Sequence, residues 1–298
     1  MTTGKYRPVL VRTICILICF MLILFSDTAF SAAENAIELT LRSVIPVLLP
    51  YAVLSNIISD LQSSDSKISA IITAFIIGNI CGAPVGAISI SRLYANGVIS
   101  KKEAGCLLPS VSCVSPAFCI IAVGSNMLKN KAFGVFIWST QLVINAVILA
   151  FYLIYHAKSK EKIPIIAKKK STFADAIKRS GGALCSVSVS IVLFSVISAV
   201  ISEMLHLNGL AECVISAVFE FCGGCERASA LYFPMSFIIC SFALGFGGLS
   251  VYSQICASTS DISKTRYLVT KLITGSISSL NALLYSAIFV SSIENLTK

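Results

Sequence analysis

The residues whose types and spacing could do chemistry in this chain are small and mostly uncharged. Gly78, Asn79, Gly82, Pro84 and Gly86 lie in one apolar segment, and Gly245, Gly247, Gly248, Ser250 and Gln254 lie in another. Between them, Ser112, Ser115 and Pro116 interrupt a third. Glycine and proline do not hold a continuous helix, and broken backbone at membrane depth is tolerated only where protein buries it or it lines a watery cavity. Interruptions in both halves of a hydrophobic chain point to a transporter's substrate site. The chemistry on offer is hydrogen bonding. Serines, Asn79 and Gln254 supply neutral partners, and the helix ends freed by each break supply N–H groups suited to a carboxylate. The sequence contains no HExxH, GxSxG or Walker pattern. The expectation is therefore a binding or transport protein, not an enzyme, with no metal site and no cofactor; sodium or proton coupling stays open.

The elements that must position these residues follow from composition. Of 298 residues, 56% are hydrophobic and only 12% charged, with a mean hydropathy of +0.88. A soluble domain carries about 25% charge, so the chain reads as an all-α polytopic membrane protein with the lipid bilayer as its main partner. Its net charge of +9 comes from basic residues clustered between spans, which act as topology signals and not as a nucleic-acid surface. The twelve cysteines are scattered singly through apolar runs, as small hydrophobes. Cys222 and Cys225 form the one tight pair.

About six transmembrane helices are expected, with two re-entrant helical hairpins. Residues 1–156 hold an N-terminal span over 9–31, a kinked span over 36–59, a hairpin over 69–92 with Gly82 at its tip, and spans near 105–125 and 132–156. Residues 157–180 form a lysine-rich cytoplasmic loop. Residues 181–298 hold a span over 181–204, a second hairpin over 232–255 and a last span over 267–292. Glu38 and Arg42, four apart on one helix, are expected to pair with each other, with attraction of an anionic substrate as the alternative for Arg42. Ala36-Ile37 recurs as Ala176-Ile177, an offset of 140, whereas Gly82 matches Gly245 and Ser115 matches Ser278 at an offset of 163. On these matches the second half carries an extra interfacial segment near 205–230 that does not cross. The repeat is then inverted, Lys264 lies outside and the C-terminus inside.

The run Gly82-Ala83-Pro84-Val85-Gly86-Ala87, with Arg92-Leu93 and Asn96-Gly97-Val98-Ile99-Ser100-Lys101-Lys102-Glu103-Ala104, resembles the sporulation integral membrane protein YlbJ family. So do Ser115-Pro116-Ala117-Phe118 and Leu244-Gly245-Phe246-Gly247-Gly248-Leu249-Ser250-Val251 with Gln254. The resemblance spans nearly the whole chain. It implies a nucleoside-recognition, or Gate, architecture similar to concentrative nucleoside transporters, a role in endospore formation, and transport of the small anion dipicolinate across the outer forespore membrane to supply the spore. It leaves homo-oligomers and sporulation membrane partners open. The family's tyrosine in the first motif is Ala83 here, its Asn-Asn-Ala-Ser-Pro run is Ser112-Cys113-Val114-Ser115-Pro116, and its histidine after the second motif is Tyr252. Two alternatives stand beside a dipicolinate permease: a transporter of nucleosides or other heteroaromatic molecules, and a non-transporting scaffold of a sporulation complex.

Overall fold

A computed structural model describes residues 3–61, 66–156, 172–259 and 261–296. Among these the chain is helical throughout, with no strand. The order is α1 (Thr3–Leu24), α2 (Ser26–Leu39), a π-helical turn over Thr40–Val44, α3 (Ile45–Leu61), α4 (Lys67–Cys81), α5 (Ala83–Ala95) and α6 (Lys101–Leu107). A 3-10 turn over Leu108–Val111 follows, then an extended stretch at 112–115 and a π-helical segment over Phe118–Met127. The order continues with α7 (Lys131–His156), α8 (Phe173–Met204), α9 (Gly209–Phe219), α10 (Phe221–Ser229), α11 (Met235–Phe246), α12 (Gly248–Ser258) and α13 (Thr265–Leu296). Most of the basic loop expected over 157–180 lies outside the described residues.

Each break has a local cause. Gly82 takes φ 103°, a left-handed value that turns the chain between α4 and α5. The two helices then pack against each other. Gly78 and Gly86, equally spaced about the turn, meet there: a Cβ at Gly86 would lie 2.9 Å from the Gly78 Cα. Gly247 and Gly248 take φ 83° and 74° between α11 and α12. Capping boxes start two elements, with Ser100 and Glu103 opening α6, and Thr172 and Asp175 opening α8. Phe25, at φ −113° and ψ 45°, separates α1 from α2, so the boundary between the first two spans falls there and not in the 32–35 region that hydropathy marks.

The second half departs from expectation. The segment over 232–255 is not a hairpin. α11 packs along α13, while α12 turns aside against α5 and α8. Together Met235–Ser258 are long and apolar enough to cross a membrane, adding one crossing to the expected six. The hairpin lies earlier, in α9 and α10, which pack face to face with Glu220 at their tip. A Cβ at Gly224 would lie 2.5 Å from the Ala217 Cα, which is why the Cys222-Gly223-Gly224-Cys225 run carries glycines.

Both halves then share one plan: span, hairpin, broken helix, span. Ala36 and Ala176 lie 140 residues apart, the hairpin tips Gly82 and Glu220 lie 138 apart, and the starts of α7 and α13 lie 134 apart. No extra segment is inserted. The match of Gly82 to Gly245 at 163 was a coincidence of composition: Gly82 makes a turn, whereas Gly245 lets α11 touch α13, where a Cβ on it would lie 2.8 Å from the Gly275 Cα. Corresponding spans run antiparallel. Ala32 packs with Val196 and Ala199 at one end of the α2–α3 and α8 pair, and Asn56 bonds Ser180 at the other, at 3.0 Å.

The contacts also sort the loops onto two faces. Arg266 reaches Cys106 at 2.6 Å, and Glu103 pairs with Lys67 at 2.8 Å and accepts from Tyr152 at 2.7 Å. Burial raises the Glu103 carboxyl, but Lys67, the Ser100 amide and Tyr152 more than offset it and hold it at about 2. Lys67, Lys101, Lys102, Lys264 and Arg266 therefore share one face, cytoplasmic by the positive-inside rule. Opposite, Phe133 stacks on Phe233 and Phe237, at 5.5 and 4.4 Å, and meets Phe289 edge-on at 6.2 Å. Residue 289 is thus on the outer face. Lys264 faces the cytoplasm and the last span leads outward, reversing both sequence-based placements while the inversion of the repeat stays. In a cysteine-depleted chain, Lys264→Cys and Lys101→Cys should react with an impermeant maleimide from the same side, and Lys129→Cys from the other. Labelling of position 264 together with 129 would contradict this topology.

Candidate functional site

Each hairpin tip abuts the break in the helix that follows it. A Cβ at Gly82 would lie 3.9 Å from the Ser115 Cβ and the Cys113 carbonyl oxygen. A Cβ at Gly248 would lie 3.1 Å from the Phe219 carbonyl oxygen and 3.3 Å from the Glu220 nitrogen. The two assemblies meet across a central cavity lined by Gly82, Ala83 and Pro84 of the first tip and by Val114, Ser115 and Phe118 beside the first break. Phe221 of the second tip, Val251 and Gln254 of α12, and Val44, Leu48, Val187 and Ile191 of the paired spans complete it. Its volume is about 40 Å³, room for little more than one water. The site is narrow in this conformation, and a solute larger than water enters only if its walls move.

Of the residues singled out in the sequence, Gly82, Pro84, Ser115 and Gln254 line this cavity. The others sit behind it. Gly78 and Gly86 bring both hairpin legs onto the Val111 carbonyl, where neither position has space for a Cβ. Asn79 is buried and fully used: its Nδ2 donates to the Phe75 and Ser110 carbonyls, each at 2.9 Å, and its Oδ1 accepts from Asn145 at 2.8 Å. Ser112 donates to the Leu108 carbonyl at 2.8 Å. Pro116 restarts the helix after the break, Gly247 forms the second break, and Gly245 packs on α13. Ser250 is buried with an unpartnered Oγ. Glu38 and Arg42 pair at 2.8 Å, as their spacing predicts.

Polarity at the cavity is sparse and directional. Gln254 is 4% exposed, and its Nε2 has no partner. Among the described residues no side chain caps the N-terminus of α5. The matching end of α10 is closed by Glu220, whose carboxylate accepts from the Cys222 and Gly223 amides. Phe118 and Phe221 meet edge to face across the cavity, centroids 5.4 Å apart.

Sequence reasoning missed two charged residues. Glu220, assigned to an interfacial segment, is 1% exposed at the second tip. Lys271, expected at the outer end of the last span, is 3% exposed on α13 near Cys113. They are the only fully buried charged side chains among the described residues. The available signal was the rarity of charge inside such hydrophobic segments, where an ionisable residue is by default a functional candidate.

A small cavity between two opposed hairpin tips and two broken helices, inside an all-α polytopic integral membrane protein, defines the class. Within it, the chain is similar to the sporulation integral membrane protein YlbJ of Bacillus subtilis (strain 168). The two are 23% identical over 348 aligned residues that cover 97% of this chain and 83% of the relative. No family model and no solved structure matches the chain.

The glycines behind the cavity give a stability test. Gly86→Ala would drive a Cβ into the Val111 carbonyl, an overpacking cost on the order of 3 kcal/mol. It should lower the melting temperature of the purified protein clearly. Gly181→Ala on α8, which meets nothing within 4 Å, should leave that temperature unchanged or slightly raised.

Proposed function

We propose that this chain is a sporulation-associated permease for a small anion, dipicolinate, acting in the membrane around the forespore. The observation that carries the transport reading is the convergence of both hairpin tips, the first helix break and α12 on one small cavity, with one hairpin reaching in from each face. Such an arrangement opens the same site to either side by moving one tip at a time, and irregular backbone at this depth is what binding sites of secondary transporters are made of.

Three features favour an anion with a planar ring. The uncapped α5 N-terminus presents N–H groups and partial positive charge. Lys271 adds a buried basic side chain behind the first break; no ion pair joins it to a carboxylate among the described residues. Phe118 and Phe221 flank the space with aromatic surface. The place in sporulation rests on the name of the relative and on the family resemblance. The aromatic pair equally favours a nucleoside, which is the second reading, with Gln254 hydrogen-bonding the base.

Uptake by proteoliposomes separates these. Dipicolinate should accumulate, and Gln254→Ala should lower the flux about tenfold or more, the scale of one lost hydrogen bond in a buried site. Lys271→Met should lower it further while leaving the protein folded. Nucleoside flux without dipicolinate flux would select the second reading. Neither flux from folded protein would remove transport in favour of a scaffold.

A further inference from the structure

The tip of the second hairpin separates two cavities. On its inner side Phe221 faces the central one. On its outer side Gly223, with Glu226 and Arg227, walls a polar cavity of about 460 Å³ that Asn35, Ser43 and Ser195 help to enclose. Glu220 stands between them. Its Oε1 accepts from the Cys222 amide at 2.9 Å and its Oε2 from the Gly223 amide at 2.7 Å. A Cβ on Gly223, at the cavity wall, would lie 3.5 Å from that Oε2 and 3.8 Å from the Ser195 Oγ. Water in the outer cavity is therefore one thin layer away from the carboxylate.

Among the described residues Glu220 has no ion-pair partner. Arg227, the nearest cation, is committed to Glu212 at 3.0 Å and to Ser216 at 2.6 Å. A buried carboxylate left without a counter-charge is costly in this setting. An N-cap needs only a neutral Asn, Ser or Thr, so capping alone does not account for an acid here.

We propose that Glu220 is a proton-binding site that latches the outer hairpin, making the proton the coupling ion. The ionised carboxylate grips both tip amides and holds the hairpin across the space between the cavities. A proton arriving from the outer cavity turns one acceptor oxygen into a hydroxyl, loosens that grip and frees the tip to expose the central site. The groups that could modulate this titration are Cys222, Cys225, Glu226 and Arg227 on α10, and Glu212 and Cys213 on α9. Cys240 on α11, Cys119 beside the first break, and Glu38 and Arg42 across the outer cavity complete the set; α8 and α12 face the tip with Ser195 and Gly248, which do not titrate. The purpose of the latch rests on the transport reading, but its test does not.

Hydrogen exchange on the purified full-length protein, from pH 5 to pH 9 and corrected for intrinsic rates, reads the tip directly. The peptide containing Cys222 and Gly223 should lose about tenfold in protection at the acid end, with α13 peptides unchanged. Glu220→Gln should show the low protection at every pH. Tip protection that is flat with pH in the wild type, or that follows sodium concentration at fixed pH, would overturn the proposal. So would Glu220→Gln protection equal to that of the wild type at high pH. Should that variant not fold, the wild-type series decides alone.

Discussion

Everything in this fold turns on one constraint: backbone that leaves the helix inside a membrane must find its partners in protein. The chain breaks four times near its centre, at Gly82, at 112–115, at Glu220 and at Gly247. These breaks cover one another in pairs. The first tip lies against the stretch at 112–115, and the second against Gly248. Hairpins and broken helices are thus mutually dependent, and the cavity is the space left where the two pairs meet. The same logic explains the glycines. Gly78 and Gly86 exist to let two helices reach the Val111 carbonyl, and Asn79 to satisfy the Ser110 carbonyl nearby.

The repeat makes the two tips alike in place but not in chemistry. The first is a bare glycine turn followed by Pro84, leaving a helix N-terminus open to the cavity. The second carries its own carboxylate, which closes the matching helix end. In the proposed permease the first tip is the one suited to an anion, and an ionised Glu220 would repel an anion from the second. Asymmetry of this kind lets a symmetric frame treat its two faces differently.

Much of the frame was legible in the sequence because membranes narrow the choices. Glycine spaced four apart around a Gly-Ala-Pro run marked the first hairpin. The second hairpin was not legible for a physical reason. A glycine in an apolar helix serves close packing as often as a turn, so Gly245, which packs on Gly275, looked like the partner of Gly82. The true partner, Glu220, looked interfacial because its neighbours Glu212, Glu226 and Arg227 are charged. Those three sit toward the hairpin's mouth, and Arg227 pairs with Glu212 there. Lys271 was misplaced with it, since one misassigned hairpin reverses every loop that follows.

The most direct measurement of this arrangement is a disulfide between the second tip and the middle of α8. Position 195 lies nine residues from the end of α8 at Met204, which is roughly 13 Å of helix below the outer face. In a cysteine-depleted chain, Gly223→Cys and Ser195→Cys should cross-link readily under mild oxidation, since a Cβ at 223 lies 3.8 Å from the Ser195 Oγ. A 209–229 segment resting on the membrane surface cannot reach that depth. Absence of the cross-link in folded protein would contradict the second hairpin, and with it the central site.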